Sequence, residues 1–565
     1  MKVELSFDRY YDYEELTTAL ENLQAAYPEL MQLESLGKTP QGRNIWAVTI
    51  TGPAKPADTK PGYLIDASHH AGEVTGTMTA LYTVWYLVTR YGDDRSVTRL
   101  LDETSVYVLP RLSADGVETY LKTPALLRSA PRPYPLPESE YKEGLYPEDI
   151  DGNGHILLMR MEDERGEWTP SRRDPRLMIR RGPDQEDGTF YRMEVEGLLR
   201  QWPAPDITTT PAVWGLDFNR NYPVAWEPDY RQRGAGPYPL SEPETRMVAH
   251  FVLQHPNIAG STTLHTSGGV ILHPPGTRKP EEIPKHDLAI FKAIGAMGTE
   301  ETGYPCIPVS GGFVLEGENP VLGATDDWLY EHQGIPSYTV ELWNLLQRSG
   351  VENLWPRTIR TPRQQEEDML LLLQWNDREL EGKGFVDWTP FDHPQLGAVE
   401  IGGWLPKFVV QNPPAHLLAA ECQKNMRFSL RHARTLPRLR LRQVKAERLG
   451  TDTYEVSAIV DNMGYLPTYL TKRRLELPDP KPVYATLEGE GFTVVSKNKR
   501  LDLGHLEGRS AKDGGFMLGY YFSGPAKASA REARWIIRIT EESKPQLHMR
   551  AWGEKAGQTS ADVIL

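Results

Sequence analysis

Cysteine is nearly absent: of 565 residues, only Cys306 and Cys422 carry a thiol. They lie far apart, so neither a disulfide framework nor a cysteine-based metal cluster is available, and any metal must be held by histidine and carboxylate. Long apolar runs are missing too. No stretch approaches the roughly 20 residues needed to cross a bilayer. The opening MKVELSFDRYYDYEEL has no apolar signal-peptide core, so a cytoplasmic protein with no membrane partner is expected. Positive charge is in deficit, 63 Lys and Arg against 77 Asp and Glu, for a net charge of -14. A general polyanion binder needs the opposite balance, because phosphate neutralisation supplies its affinity, and no nucleic-acid partner is expected.

Apolar material is nonetheless ample, at 39% hydrophobic and 9% aromatic residues, and the chain is too long for one ordinary core. Its first 110 residues alternate helix and strand. Asp12 caps a helix carrying Leu16, Leu20 and Leu23, and Asn44 to Thr51 follows as an apolar strand. Buried strands at Gly62 to Ala67 and Ser105 to Leu109 flank an apolar helix at Met78 to Tyr91. Runs apolar on both faces and separated by helices predict an α/β domain whose mixed, mostly parallel sheet has helices on both faces.

From about Thr123 to Pro205 the pattern breaks into clustered Pro, Arg, Asp and Gly, which reads as an insertion. The α/β pattern resumes at Gly215, with a capping-box start at Ser241 to Glu244, strands at Ser261 to Leu264 and Ser337 to Leu342, and helices at Gln364 to Trp375 and Pro414 to Arg434. After Pro437 short strand-like runs separated by Gly, Pro, Asp and Lys turns predict an all-β sandwich. The expected division is therefore residues 1–436 and 437–565, the second unit having no assignable partner. The basic stretch with Arg431, Arg434, Arg438, Arg440 and Arg442 at the junction reads as a solvated helix face or an interdomain salt-bridge surface.

Four segments carry chemistry. Gly62 to Ala67 runs into Ser68-His69-His70-Ala71-Gly72-Glu73, placing His70 and Glu73 three apart at a strand's carboxyl end, where both can face one point. His69 is an alternative ligand, but adjacent residues point apart, so one histidine should face a metal with Glu73. A second strand end also carries a histidine, His265 after Ser261 to Leu264, and a two-His, one-carboxylate set with an open position suits catalytic zinc. The turn Asp217-Phe218-Asn219-Arg220-Asn221 offers a guanidinium fork and amides able to anchor a substrate carboxylate. Glu341 ends a buried strand as either an ion-pair member or a functional base. Each motif alone is more often an ordinary cap, turn or satisfied core residue.

Together they resemble the carboxypeptidase A/B-like zinc metallopeptidases: His70-Ala-Gly-Glu73, Ser113-Ala-Asp-Gly116, Gly215-Leu-Asp-Phe-Asn-Arg220-Asn, Leu264-His265-Thr-Ser, Asp327-Trp328 and Thr339-Val-Glu341-Leu, in the family's order over about residues 7 to 430. The resemblance implies zinc on His70, Glu73 and His265, with Glu341 as general base. It implies that Asn219 and Arg220 bind the free α-carboxylate of a peptide substrate, that Arg128 polarises the scissile carbonyl, and that Asp217 hydrogen-bonds the first histidine. Asp326 matches the residue deep in the side-chain pocket, where an acid resembles the form selecting C-terminal Lys or Arg. Departures are Ser113 and Ala114 for the family's Asn-Pro, Gly72 for an arginine, and Asn319 where a mobile tyrosine is expected, with Tyr304 not assignable to that role.

Within the insertion, Asp149, Asp151 and Asn153 match the first half of a calcium loop, although Arg160 stands where the bidentate Glu belongs; Glu162 or Asp163 could replace it if the chain turns back. A plain turn is the alternative. The expected protein is a zinc metallocarboxypeptidase. Its rivals are an amidase or cell-wall peptide hydrolase on the same scaffold and a non-catalytic binding protein.

Overall fold

The computed structural model describes residues 3–565 apart from 136–142, 201–206, 208, 211, 316, 353, 356–358, 497, 512–513, 518–519, 524–527 and 541–544, and of residues 514–517 and 520–523 only the backbone. Eight strands form the central sheet, in the spatial order Met31–Lys38, Asn44–Ile50, Ser105–Leu109, Gly62–Ala67, Ile258–Thr266, Ser337–Leu342, Val270–His273 and Cys306–Pro308. Four neighbouring pairs are parallel and three antiparallel, so the sheet is mixed and mostly parallel. Gly62–Ala67, Ser105–Leu109 and Ile258–Thr266 are buried at every position, which is why they read as unbroken runs and not as alternation.

The helices Val74–Arg90, Lys285–Thr302 and Ala415–Ala433 pack side by side against this sheet. Asp12 caps Tyr13–Ala26 in a full capping box. Ser241 does not cap as expected: Pro243–Gln254 starts after Glu242 without a side-chain cap, and the Ser241 hydroxyl instead donates to the Glu242 carboxylate. No helix among the described residues is long and apolar enough to cross a membrane.

The stretch read as an aperiodic insertion is sheet. Gly144–Pro147 pairs with Gly197–Arg200. A separate six-stranded sheet runs Phe385–His393, Gly397–Trp404, Leu158–Glu162, Tyr191–Val195, Trp168–Pro170 and Met178–Arg180. Two of its strands therefore come from a hairpin some two hundred residues downstream. The insertion strands are only three to five residues long. Windows so short carry almost no periodicity.

Two four-stranded antiparallel sheets close the chain as a β-sandwich, Leu439–Arg448, Thr453–Asn462, Ala530–Ile539 and Phe492–Val494 in one, Arg500–Asp502, Tyr484–Glu490, Gln546–Gly553 and Gly557–Val563 in the other. Val456, Trp535, Leu487 and Met549 bury their side chains between them. The sandwich is docked by buried polar contacts. Backbone N–H groups of Lys472 and Arg473, opening the Lys472–Glu476 helix, donate to the two oxygens of Asp287 at 2.6 and 3.0 Å. Lys555 Nζ donates to the Ile258 carbonyl at 2.9 Å. From the basic stretch, Arg438 reaches Glu103, while Arg431 pairs with Glu300 and Glu301.

Candidate active site

Parallel strand ends assemble the site. Ile258–Thr266 lies between Gly62–Ala67 and Ser337–Leu342, with Leu264 opposite Ala67 and His265 opposite Glu341. The chain leaves the first strand through Ser68, which adopts a left-handed φ of 55°, and enters Val74–Arg90 after Glu73. Helix and strand meet closely at Gly76, where a Cβ would lie 2.9 Å from the Leu264 carbonyl.

His70, Glu73 and His265 converge, each offering a ligand atom within 4.8 Å of the others. His70 Nδ1 is 2.7 Å from Glu73 Oε1, His265 Nδ1 is 2.8 Å from Glu73 Oε2, and the two Nδ1 atoms are 3.2 Å apart. The second nitrogen of His70, Nε2, lies 2.9 Å from Asp217 Oδ1. Asp217 only accepts, so Nε2 carries a proton, and Nδ1 faces a carboxylate and another imidazole. Groups meeting there at hydrogen-bond distance need a cation between them, a proton or a metal: against burial and Arg128, the carboxylates of Glu73 and Asp217 raise the His70 pKa, as a site that draws positive charge does. The residues therefore fit a metal of the nitrogen-and-oxygen class, with Asp217 fixing the orientation of one ligand.

His69 does not join them. Its Nε2 lies 3.0 Å from the Tyr222 hydroxyl and 2.8 Å from Thr325 Oγ1, and its Nδ1 is 3.3 Å from Asp66. Burial, helped by the neighbouring His265 and His70, pulls its pKa well below the ordinary value, as befits a neutral core residue.

Asp217 organises the other wall. It accepts from His70 on Oδ1, from the Asn219 N–H at 2.9 Å on the same oxygen, and from Arg128 Nε at 2.9 Å on Oδ2. Burial alone would raise its pKa, but Arg128, His70 and Arg220 hold it well below the usual range. Arg128 Nη1 stands 3.7 Å from Glu73, and 43% of the Arg128 side chain is open to the cleft. Asn219 Oδ1 accepts from the Thr325 N–H at 2.8 Å and hydroxyl at 3.1 Å, which aims its amide nitrogen away from Thr325. Arg220 donates from Nη1 to the Asn219 carbonyl at 2.7 Å.

Glu341 is half-buried. Burial, then the charge of Glu73, push its carboxyl well above the usual range against the pull of Arg128 and Arg220. A Cβ on Gly268 would come within 3.1 Å of the Glu341 Cβ, so the glycine lets the backbone after His265 pass close to this side chain.

Asp326 is 3% exposed, in the first turn of Thr325–Gln333, where it accepts from the Asp327 N–H at 3.0 Å. Burial raises its pKa despite the Thr339 hydroxyl, leaving a weaker partner for a cation than a free pocket carboxylate. Tyr304 is buried, its hydroxyl donating to Glu421 and accepting from the Trp343 N–H at 2.9 Å, and Asn319 is exposed. Two phenols, Tyr134 and Tyr146, line a cavity of about 530 Å³ with Arg128, Asp217, Arg220 and Arg233. Sequence reasoning gave no sign of these two tyrosines or of Arg233, which sit in the insertion and in a turn-rich loop.

The Asp149 loop closes on itself. Asp149 accepts from the N–H groups of Gly152 and Gly154, both at 2.9 Å, Asp151 from Asn153 N and Nδ2, and Asn153 from His155 N at 2.8 Å. The acid that approaches Asp149 and Asp151 is Glu196, not Glu162 or Asp163, and the three offer ligand atoms within 4.8 Å of one another. Glu196 is fully buried and takes the N–H groups of Ile150 and Leu157 at 2.7 and 2.8 Å.

Comparison with known proteins places the chain beside zinc carboxypeptidases. A family model described as zinc carboxypeptidase matches residues 16–360, and a model for a domain of unknown function matches residues 438–564. Bovine carboxypeptidase B is 23% identical over 353 residues, 60% of this chain and 64% of that protein. Mouse carboxypeptidase M is 30% identical over 115 residues, 20% of this chain and 26% of its own length. The inactive metallocarboxypeptidase ECM14 of Saccharomyces cerevisiae is 31% identical over 112 residues, again 20% of this chain and 26% of the relative. Among solved structures, thrombin-activatable fibrinolysis inhibitor superposes with a TM-score of 0.42 at 15% identity, covering 76% of this chain and 74% of that one.

Proposed function

Because the chain belongs to the zinc carboxypeptidase family, we propose that it is a zinc-dependent carboxypeptidase releasing C-terminal residues from peptides. The observation that carries this reading is the convergence of His70, Glu73 and His265 directly beside Glu341. Bound there, zinc would polarise the scissile carbonyl and lower the pKa of a water toward about 7. Glu341 takes the proton of the attacking water and passes it to the leaving nitrogen. Arg128, tied to Asp217 through Nε, keeps its Nη donors for the developing oxyanion, an interaction worth about 3 to 4 kcal/mol per well-placed donor. Asn219 and Arg220 hold the terminal carboxylate, and Asp217 holds the tautomer of His70.

A second reading, an amidase acting on an amide that is not a C-terminal peptide bond, is favoured by one observation: Asn319 stands exposed at the place of the family's tyrosine, and Tyr304 is committed to Glu421. Digestion of matched peptides with free and amidated C-termini, read by mass spectrometry with and without a zinc chelator, separates the two. Stepwise loss of C-terminal residues from free peptides only, abolished by the chelator, supports the carboxypeptidase. Equal cleavage of amidated peptides supports the amidase, and no cleavage of either supports a non-catalytic binder. In the Asp149 loop each side-chain oxygen of Asp149, Asp151 and Asn153 accepts a hydrogen bond within the turn, which supports the plain turn over a calcium site.

A further inference from the structure

The cavity beside Asp217 holds more positive charge than the carboxypeptidase reading uses. Three guanidiniums line it, Arg128, Arg220 and Arg233, and two acids, Asp217 and Asp229. Asp217 is taken by His70 and Arg128. Asp229 accepts from the Gly234 N–H at 2.8 Å and also bonds the Tyr134 phenol. Among the described residues, Arg233 forms no ion pair and no side-chain hydrogen bond, in a chain with 77 acidic residues and a net charge of -14.

The backbone around Arg233 is held in place. On one side, Gln232 Oε1 accepts from the Leu322 N–H at 3.0 Å. On the other, the Gly234 carbonyl accepts from the Asp217 N–H at 2.9 Å, an approach that needs glycine twice over, for its φ of 83° and because a Cβ would lie 2.8 Å from the Asp217 Cβ. Ala235 is fixed in turn, its carbonyl accepting from Asn221 Nδ2 at 2.8 Å and from Trp226 Nε1 at 2.9 Å. A loop pinned to the same turn that carries Asn219 and Arg220 thus places an exposed guanidinium, without an ion-pair partner among the described residues, on the wall of the cavity that Arg220 also lines. A cation in that position attracts an anion and disfavours a second cation.

Resting on the carboxypeptidase reading, we propose that Arg233 is a specificity-determining residue and that the leaving residue carries a second carboxylate, its α-carboxylate on Asn219 and Arg220 and its side-chain carboxylate on Arg233. This sets the cavity against the preference for a basic leaving residue that Asp326 suggests by resemblance. Asp326 is buried and is not part of the cavity wall.

The test uses the zinc-loaded full chain and matched peptides ending in Glu, 2-aminoadipate or 2-aminopimelate, each beside its side-chain amide, with one Arg-ending peptide for contrast. At the best side-chain length the acid should exceed the amide by up to about fivefold in kcat/KM, as one charge contact to an exposed guanidinium warrants. Arg233→Gln should bring that ratio toward one, and Arg233→Lys should restore part of it. An acid-to-amide ratio at or below one at every length, or a ratio unchanged in Arg233→Gln, overturns the proposal while leaving the carboxypeptidase reading standing. If no peptide is cleaved, that reading fails on its own. Calorimetry with the N-acetylated acids and their amides then decides on Arg233: tighter binding of an acid that Arg233→Gln abolishes supports it, and equal binding overturns it.

Discussion

Asp217→Asn is the substitution that asks most of the site while changing least of its shape. The parent carboxylate takes His70 Nε2 and Arg128 Nε at 2.9 Å each, one on either oxygen. An asparagine has one oxygen for two donors. Whichever way its amide is turned, an N–H faces either the imidazole N–H or the guanidinium, so one partner is lost and the other is bound without charge assistance. Loss of such an outer carboxylate weakens metal binding by about 10- to 100-fold, equivalent to about 1.4 to 2.8 kcal/mol. Zinc affinity is measured by competition with a fluorescent chelator, and circular dichroism reports whether the fold persists. Because Arg128 loses its anchor as well, kcat/KM should fall further than zinc occupancy explains when both proteins are assayed at saturating zinc. Zinc affinity within about twofold of the parent, against the 10-fold minimum expected, would refute the assignment of His70 as a ligand oriented by Asp217.

His265→Ala should lose stoichiometric zinc, measured by metal analysis after gel filtration; retained zinc moves the third ligand elsewhere. Glu341→Gln should keep zinc and the fold yet lower kcat by roughly 100- to 10,000-fold, and a near-normal rate would place the base on another residue. Millimolar calcium should leave the melting temperature unmoved relative to a calcium chelator, because the Asp149 turn is self-satisfied; a rise would restore an ion there by mass action. Buried lysines should add a stabilising slope at alkaline pH: burial lowers Lys60, Lys407 and Lys555 from 10.5 to about 8, so between those values the unfolded chain binds more protons at these three groups. Carboxyls raised by burial, Asp66 to about 8 and Asp327 and Glu341 well above their usual range, give the opposite slope, so the lysine part is isolated by substitution. Replacing the three lysines by Met should make the denaturant midpoint climb less, or fall more, than the parent's between about pH 8 and about pH 9.5; parallel curves refute the lysine argument.

The parts of the molecule legible in the sequence share one property, that their signal is local. Gly62–Ala67 and Ile258–Thr266 are buried on both faces, so each announces itself as an apolar run, and the chemistry-bearing residues follow at the strand ends. The sandwich was legible because its turns punctuate strands of up to ten residues. The six-stranded sheet was not. Leu158–Glu162 finds its partner in Gly397–Trp404, and the exposed Leu158 and half-buried Arg160 give its pattern no contrast between faces. Pairing across that separation is set by tertiary packing, which no short window records.

The same limit explains what the site reading missed. His70 and Glu73 follow directly on the end of Gly62–Ala67, His265 and Glu341 lie in strands, and register brings His265 opposite Glu341. Arg233 depends on no element at all. It lies in Pro-Asp-Tyr-Arg-Gln-Arg-Gly, a stretch whose composition reads only as turn, and what orders it is the bond from the Asp217 N–H to Gly234 and the bond from the Leu322 N–H to Gln232. Those two contacts join the loop to the turn that carries Asn219 and Arg220 and to the segment entering Thr325–Gln333, the elements that carry Asp217 and Asp326. The proposed metal ligands and base thus sit at or just after the ends of central strands, whereas the residue argued to choose the substrate is displayed by a loop held between the two walls of the cleft, where sequence can vary without disturbing the sheet.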